Sequence, residues 1–223
     1  MANIELINYL KGFLLPERIN TIEKVLSKRT RYMTIVLEDI YQSQNANAVL
    51  RTCECFGIQD VHIIENRNPY KANPDVVRGA SKWLTMHRYN SHPNNTPEAF
   101  ERLKKEGYRM VVTSPHANDV DLPAFDLHKG KFAIVVGNER EGISKYAQSH
   151  ADEFLKVPML GFTESLNLSV CTALIVHELI QRLSDSGIDF LLDSLQYDNL
   201  LEEWLLKSIK RSDLIVDRFH KQR

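Results

Sequence analysis

Two polar segments hold the residues best suited to do chemistry. Val136-Gly-Asn-Glu-Arg-Glu-Gly142 follows an apolar stretch, Phe132 to Val136. Val157-Pro-Met-Leu-Gly-Phe-Thr-Glu-Ser-Leu-Asn-Leu-Ser169 follows a second such stretch, Phe154 to Val157. Glycines let a main chain approach a ligand closely, and two such loops leaving the same ends of adjacent strands would hold it by their backbones. A third segment, Gln44-Asn-Ala-Asn-Ala-Val-Leu-Arg-Thr-Cys-Glu-Cys-Phe-Gly57, adds two side chains of interest. Asn45 suits the N-cap of a helix, where its oxygen can accept from a free backbone N–H. Arg51 lies off the apolar stripe, on one face with Asn47 four residues earlier. Its guanidinium stays protonated, so it suits stabilising negative charge better than accepting a proton. A solvated surface arginine is the plain alternative.

Other familiar chemistries fail on inspection. Cys53 and Cys55 diverge by about 200° around a helix and have no His/Cys pair nearby, which rules out a metal reading. His116 and His128 lie in polar loops without a partner spaced for zinc, so solvated loop histidines are expected. No Gly-x-Gly-x-x-Gly follows a strand, and there is no Gly-Lys-Ser/Thr phosphate cradle and no Gly-x-Ser-x-Gly elbow.

The elements that must position these segments alternate. Strands are expected at Met33–Leu37, Val61–Ile64, Leu84–Tyr89, Tyr108–Thr113, Phe132–Val136 and Phe154–Val157. A helix over Asn47–Phe56 is stopped by Gly57, and another opens at Thr96-Pro-Glu and ends at Gly107. Apolar strands between helices predict an α/β fold, a mostly parallel sheet covered on both faces. Leu166–Leu183 reads as a helix apolar over most of its circumference, which needs burial on two sides. A second subunit is the favoured cover, hence a homodimer; burial within one chain is the alternative. Helices precede this region over residues 3–29, with Pro16 in the first turn of the second. Two more, around Ile188–Leu195 and Asn199–Phe219, close the chain. The expected division is a helical extension over 1–31, an α/β domain over 32–185 and a second helical extension over 186–223.

Composition bounds the function. In 223 residues, 43% hydrophobic and 26% charged, no apolar run approaches a bilayer span and the N-terminus shows no signal pattern. Three cysteines cannot all pair, so a reducing cytoplasm is expected. The net charge of −1 excludes a uniformly basic nucleic-acid binder, but residues 11–31 hold six Lys/Arg against Glu17 and Glu23. That segment is either an RNA-facing surface or a solvated helix face.

Asn45–Arg51, Val136–Gly142 and Val157–Ser169 resemble, in order, motifs one, two and three of the SPOUT RNA methyltransferases. The likeness is strongest to the TrmH branch, tRNA guanosine 2′-O-methyltransferases acting on the D-loop at position 18. It extends from the basic helix near Arg18 through Thr34–Gly57 and Gly79-Ala-Ser-Lys-Trp83 into the terminal helices. The resemblance implies a C-terminal trefoil knot, S-adenosyl-L-methionine as methyl donor without a metal, and tRNA as partner. Catalytic roles would fall on Arg51, Asn45, Glu139, Ser165 and Asn167. Donor contacts would fall on Thr113, Gly137, Val157 and Leu166, and RNA phosphates on Arg18, Lys28 and Arg29. Glu139 would hold Arg51 or Asn45, or else pair with Arg140 or Lys145. Asn167 would orient the loops, or cap the helix beside Ser165. Departures are mild: Asn-Ala-Asn replaces Asn-Leu-Ser before Arg51, and Glu164 makes the third motif more acidic. Ribosomal RNA methylation and a non-catalytic RNA binder on the same fold are the rival expectations.

Overall fold

The computed structural model describes residues 2–73, 75, 79–114 and 119–221. Among the described residues seven strands are found: β1 (Met33–Glu38), β2 (Asp60–Ile64), β3 (Thr85–Tyr89), β4 (Arg109–Thr113), β5 (Val120–Asp121), β6 (Phe132–Val136) and β7 (Glu153–Lys156). They form one sheet in the order β3-β2-β1-β6-β4-β7-β5, with every pairing parallel. All residues of β1 and β6 are buried, which is what a strand covered on both faces requires. Ile35 pairs with Val61 on one side and Ile134 on the other, so alternate side chains of the three strands point to the same face.

Each face has its own core. Ile35, Leu37 and Ile134 pack with Ala46, Val49, Leu50 and Cys53 of α3 (Ser43–Cys55). Ile175, Val176, Leu179 and Leu183 of α6 (Leu168–Asp185) join the same cluster. On the opposite face Val36, Val112 and Val135 pack with Phe100 and Leu103 of α4 (Thr96–Lys105) and Ala147 of α5 (Lys145–His150). Burying each large apolar side chain contributes about 1.5–3 kcal/mol, so the two layers together clamp β1 and β6 in place. The inner stripe of α6 is buried as its periodicity demands. Val170 and Leu174 on its outer side remain 48% and 45% exposed.

Residues Met1–Thr30 and Leu191–Arg223 make up one compact unit, and Arg31–Phe190 another. In the first, α1 (Ile4–Lys11) and α2 (Pro16–Leu26) pack with α7 (Ser194–Ser208) and α8 (Ser212–Lys221) around Leu10, Leu26, Trp204 and Leu205. Asn3 caps α1 and sends its own N–H to Glu202.

Several element boundaries differ from the sequence expectation. α3 begins at Ser43 rather than Asn47, because its first turn is polar and carries no apolar signal. The expected helix at Ile188–Leu195 is absent: Leu191 bridges Thr30 antiparallel, and helix resumes at Ser194 behind an Asp193/Gln196 capping box. β5 and α5 were not anticipated, since two and six residues are too short to show a period.

Candidate active site

Loops from the carboxyl ends of β1, β4, β6 and β7 meet around a cavity of about 940 Å³. The place follows from topology. The chain runs outward from β1 to β3, then restarts across the sheet at β4, with β6 inserted between. The carboxyl ends at such a reversal leave a crevice, because consecutive connections diverge to opposite faces.

Glycine is required at two points of the β6 loop. A Cβ on Gly137 would lie 2.5 Å from the Gly142 carbonyl oxygen and 2.7 Å from the Ile143 nitrogen, both main-chain atoms. Gly142 itself has φ +71°, a left-handed conformation. Between them the turn closes on itself, the Asn138 N–H donating to Gly142 O at 2.9 Å and the Gly142 N–H to Asn138 O at 2.8 Å.

Within that turn the Glu139 carboxylate accepts from the Tyr41 N–H at 2.8 Å, the Gln42 N–H at 3.1 Å and the Asn45 Nδ2 at 2.7 Å. It therefore holds the loop after β1 and the first turn of α3, rather than Arg51, Arg140 or Lys145. Asn45 is not the N-cap, a position Gln42 occupies. Its Oδ1 instead accepts from Asn167 Nδ2 at 3.2 Å. Asn167 caps the helix and makes a second contact besides. Its Oδ1 caps α6 by accepting from the Ser169 and Val170 N–H groups, while its amide nitrogen reaches Asn45. All three motif segments are thus tied by one run of side chains: Glu139, Asn45 and Asn167.

Thr113, Gly137, Val157 and Leu166 line the cavity, as do Asn45, Glu139, Ser165 and Asn167. Arg51 does not. It stands exposed on α3 and, among the described residues, carries no hydrogen bond or ion pair. Arg18 and Lys28 are exposed in the terminal unit. Arg29 is a correction. It is 1% exposed, with its guanidinium 5.0 Å from the Trp204 ring centre, because the chain after α2 turns inward to accept the Leu192 N–H on the Arg29 carbonyl. A buried guanidinium cannot meet a phosphate. His128 is exposed in the turn before β6, at the opposite end from the cavity, and His116 lies outside the described residues.

Sequence reasoning missed a supporting layer. Asp39 sits in left-handed backbone, φ +52°, just past β1. Its carboxylate accepts from the N–H groups of Asn66, Arg67 and Asn68 and from Arg67 Nε. Burial pushes the Asp39 carboxyl up, but these donors outweigh it and hold it below its ordinary value. The Asp39 carbonyl accepts Asn138 Nδ2 at 2.7 Å, which orients the turn containing Glu139. Beside it, buried Glu38 accepts from Thr96 Oγ1 and from both the N–H and Oγ of Ser144, pinning the far end of the same loop. Two acids ending an apolar strand were the only sequence signal for this layer.

A family model described as the SpoU rRNA Methylase family matches residues 32–177. The chain is 41% identical over 209 residues to the tRNA (guanosine(18)-2'-O)-methyltransferase of Borreliella burgdorferi, covering 94% of each protein. Among solved structures, the A. aeolicus TrmH/SpoU tRNA modifying enzyme superposes with a TM-score of 0.76 at 24% identity, over 87% of this chain and 98% of that one. The SpoU methyltransferase AviRb from Streptomyces viridochromogenes, in complex with the cofactor AdoMet, superposes with a TM-score of 0.61 at 20% identity, over 72% of this chain and 64% of that one. These two structural likenesses are likenesses of fold.

Proposed function

This chain belongs to the SpoU rRNA methylase family, and on that footing we propose that it transfers a methyl group from S-adenosylmethionine to the ribose 2′-hydroxyl of guanosine 18 in the tRNA D-loop. The observation carrying the reading is the convergence of the three motif segments on one cavity, joined through Glu139, Asn45 and Asn167.

The cavity suits the donor. Its volume lies in the range of small-molecule sites, and Val157, Leu166 and Leu168 offer apolar surface to an adenosine. The tight 138–142 turn presents main-chain groups where a Cβ at 137 would intrude. Thr113, Gly137, Val157 and Leu166 would hold it. When bound, the donor supplies a methyl already activated by a sulfonium, so the protein's work is alignment and charge. Asn45 and Asn167 fix the loops and orient the hydroxyl, and Ser165 is left exposed beside them. Arg51, unpaired among the described residues, stabilises the oxygen as its proton leaves, and a neighbouring phosphate as well. The trefoil threading of the C-terminal loops is part of this reading.

A homodimer covers the outer side of α6 in the same reading, where Val170 and Leu174 stay exposed. Free cysteines favour a cytoplasmic setting, and no helix among the described residues is long and apolar enough to cross a membrane.

Purified protein, labelled donor and tRNA transcripts test the central claim. Mass mapping is expected to find the methyl on guanosine 18; transfer only to ribosomal RNA, or none with donor bound, would refute it. For docking, Arg18 and Lys28 replace the original trio with Arg29. Each charge removed should lessen the slope of log affinity against log salt by about 0.7–0.9. An unaltered slope in the double variant would dismiss that face as the docking surface.

A further inference from the structure

Arg140 is flanked in sequence by two glutamates and pairs with neither. Glu139 is engaged with Tyr41, Gln42 and Asn45, and Glu141 forms a two-pronged pair with Arg67 at 3.0 and 2.6 Å. Arg67 is itself held by Asp39, so Glu141 is drawn towards the loop after β2. The Arg140 guanidinium instead lies 3.7 Å from the centre of the exposed Tyr41 ring and, among the described residues, makes no ion pair. Both partners are anchored through their main chains. The Arg140 N–H donates to Asn138 Oδ1 at 2.9 Å, and the Tyr41 N–H donates to Glu139 Oε2 at 2.8 Å. Arg140 also lines the cavity, next to Gln42.

A guanidinium stacked on a ring keeps its plane, while its N–H donors point outward along its edge. Held in this way, the fork is set before any substrate arrives, so little rotamer freedom remains to be lost on binding. The chemistry matches one ligand edge. Guanine presents two adjacent acceptors, O6 and N7, which an arginine satisfies with two parallel hydrogen bonds; adenine offers N7 beside a donor and repels the second. A ribose hydroxyl carries no base identity, so a guanosine-selective enzyme must read the base with some other group. Single-stranded loops expose that edge for reading.

We propose that Arg140, kept flat by Tyr41, reads O6 and N7 of the guanine whose ribose is methylated and so sets base specificity. This rests on the reading of the chain as a tRNA guanosine methyltransferase.

The test uses tRNA transcripts carrying guanosine, 7-deazaguanosine or adenosine at the target, with wild type, Arg140→Ala, Arg140→Lys, Tyr41→Phe and Tyr41→Ala. Wild type should prefer guanosine in kcat/KM by about 10- to 100-fold over either analogue. Arg140→Ala should bring both ratios close to one, Arg140→Lys should keep part of them, and Tyr41→Phe nearly all. Tyr41→Ala should weaken the preference. An undiminished preference in Arg140→Ala overturns the proposal, as does an equal loss on all three transcripts, which would signal a phosphate contact or a folding defect. Wild type that methylates guanosine with no preference also overturns it while leaving the enzyme reading intact. Wild type that methylates none of the transcripts removes both.

Discussion

Arg51→Lys is expected to bind donor as wild type does while its turnover falls by about 100-fold or more, the scale of losing one preorganised donor to a developing oxyanion. The charge survives this change; the planar fork does not. An ammonium is a compact, strongly hydrated point charge and cannot reach an oxygen and a phosphate with the same rigid geometry. The position makes the result easy to interpret. Arg51 is exposed and unpaired among the described residues, so its replacement should shift stability by no more than about 0.5 kcal/mol. Because it does not line the cavity, donor affinity has no reason to move. Single-turnover rates beside calorimetric donor titration separate the effects. Turnover close to wild type would remove Arg51 from the chemistry.

Gly137→Ala should do the reverse. Its new methyl group would meet the Gly142 carbonyl oxygen at 2.5 Å, a main-chain atom in a turn closed by two hydrogen bonds. Overpacking of this kind costs about 1–3 kcal/mol, and relief can come only by opening the turn that walls the cavity. Donor affinity is therefore expected to fall by about 10- to 100-fold. Binding of tRNA in the absence of donor should stay within a factor of about 2, since Arg18 and Lys28, the residues assigned to docking, lie in the other unit. Unchanged donor affinity would mean that the 138–142 turn is no part of the donor site. Together the two variants distinguish a group that acts on the reacting oxygen from one that shapes the donor's wall.

The support behind these residues explains why a loop-built site can be rigid. Asp39 holds a left-handed backbone that a non-glycine residue adopts only at some cost. That conformation turns its carboxylate towards three successive N–H groups and its carbonyl towards Asn138. The Glu139 turn is then seated from below by Asn138 and from the far end by Ser144 on Glu38. A polar network with its members satisfied specifies a single arrangement of loops.

From the sequence by itself came the alternating elements, the parallel sheet and the three segments that converge, because side-chain period, glycine placement and apolar runs are local properties. The same locality explains the misses. A polar first turn hid the start of α3, and the Ile188–Leu195 stretch became an antiparallel bridge once Thr30 was available to pair with it. Only the tertiary structure decided who holds whom. Glu139 reaches Asn45 across 94 positions and Asn167 reaches Asn45 across 122, and no spacing rule selects those partners over Arg51 or a simple cap. Arg29 and Lys28 are adjacent basic residues in sequence; one is sealed beneath Trp204 and the other is open to solvent. Arg140 faces Tyr41 because both neighbouring glutamates are drawn away by distant groups. Hydrogen-bond and ion-pair choice depends on which donors chain closure brings within about 3 Å, and closure is a property of the whole fold.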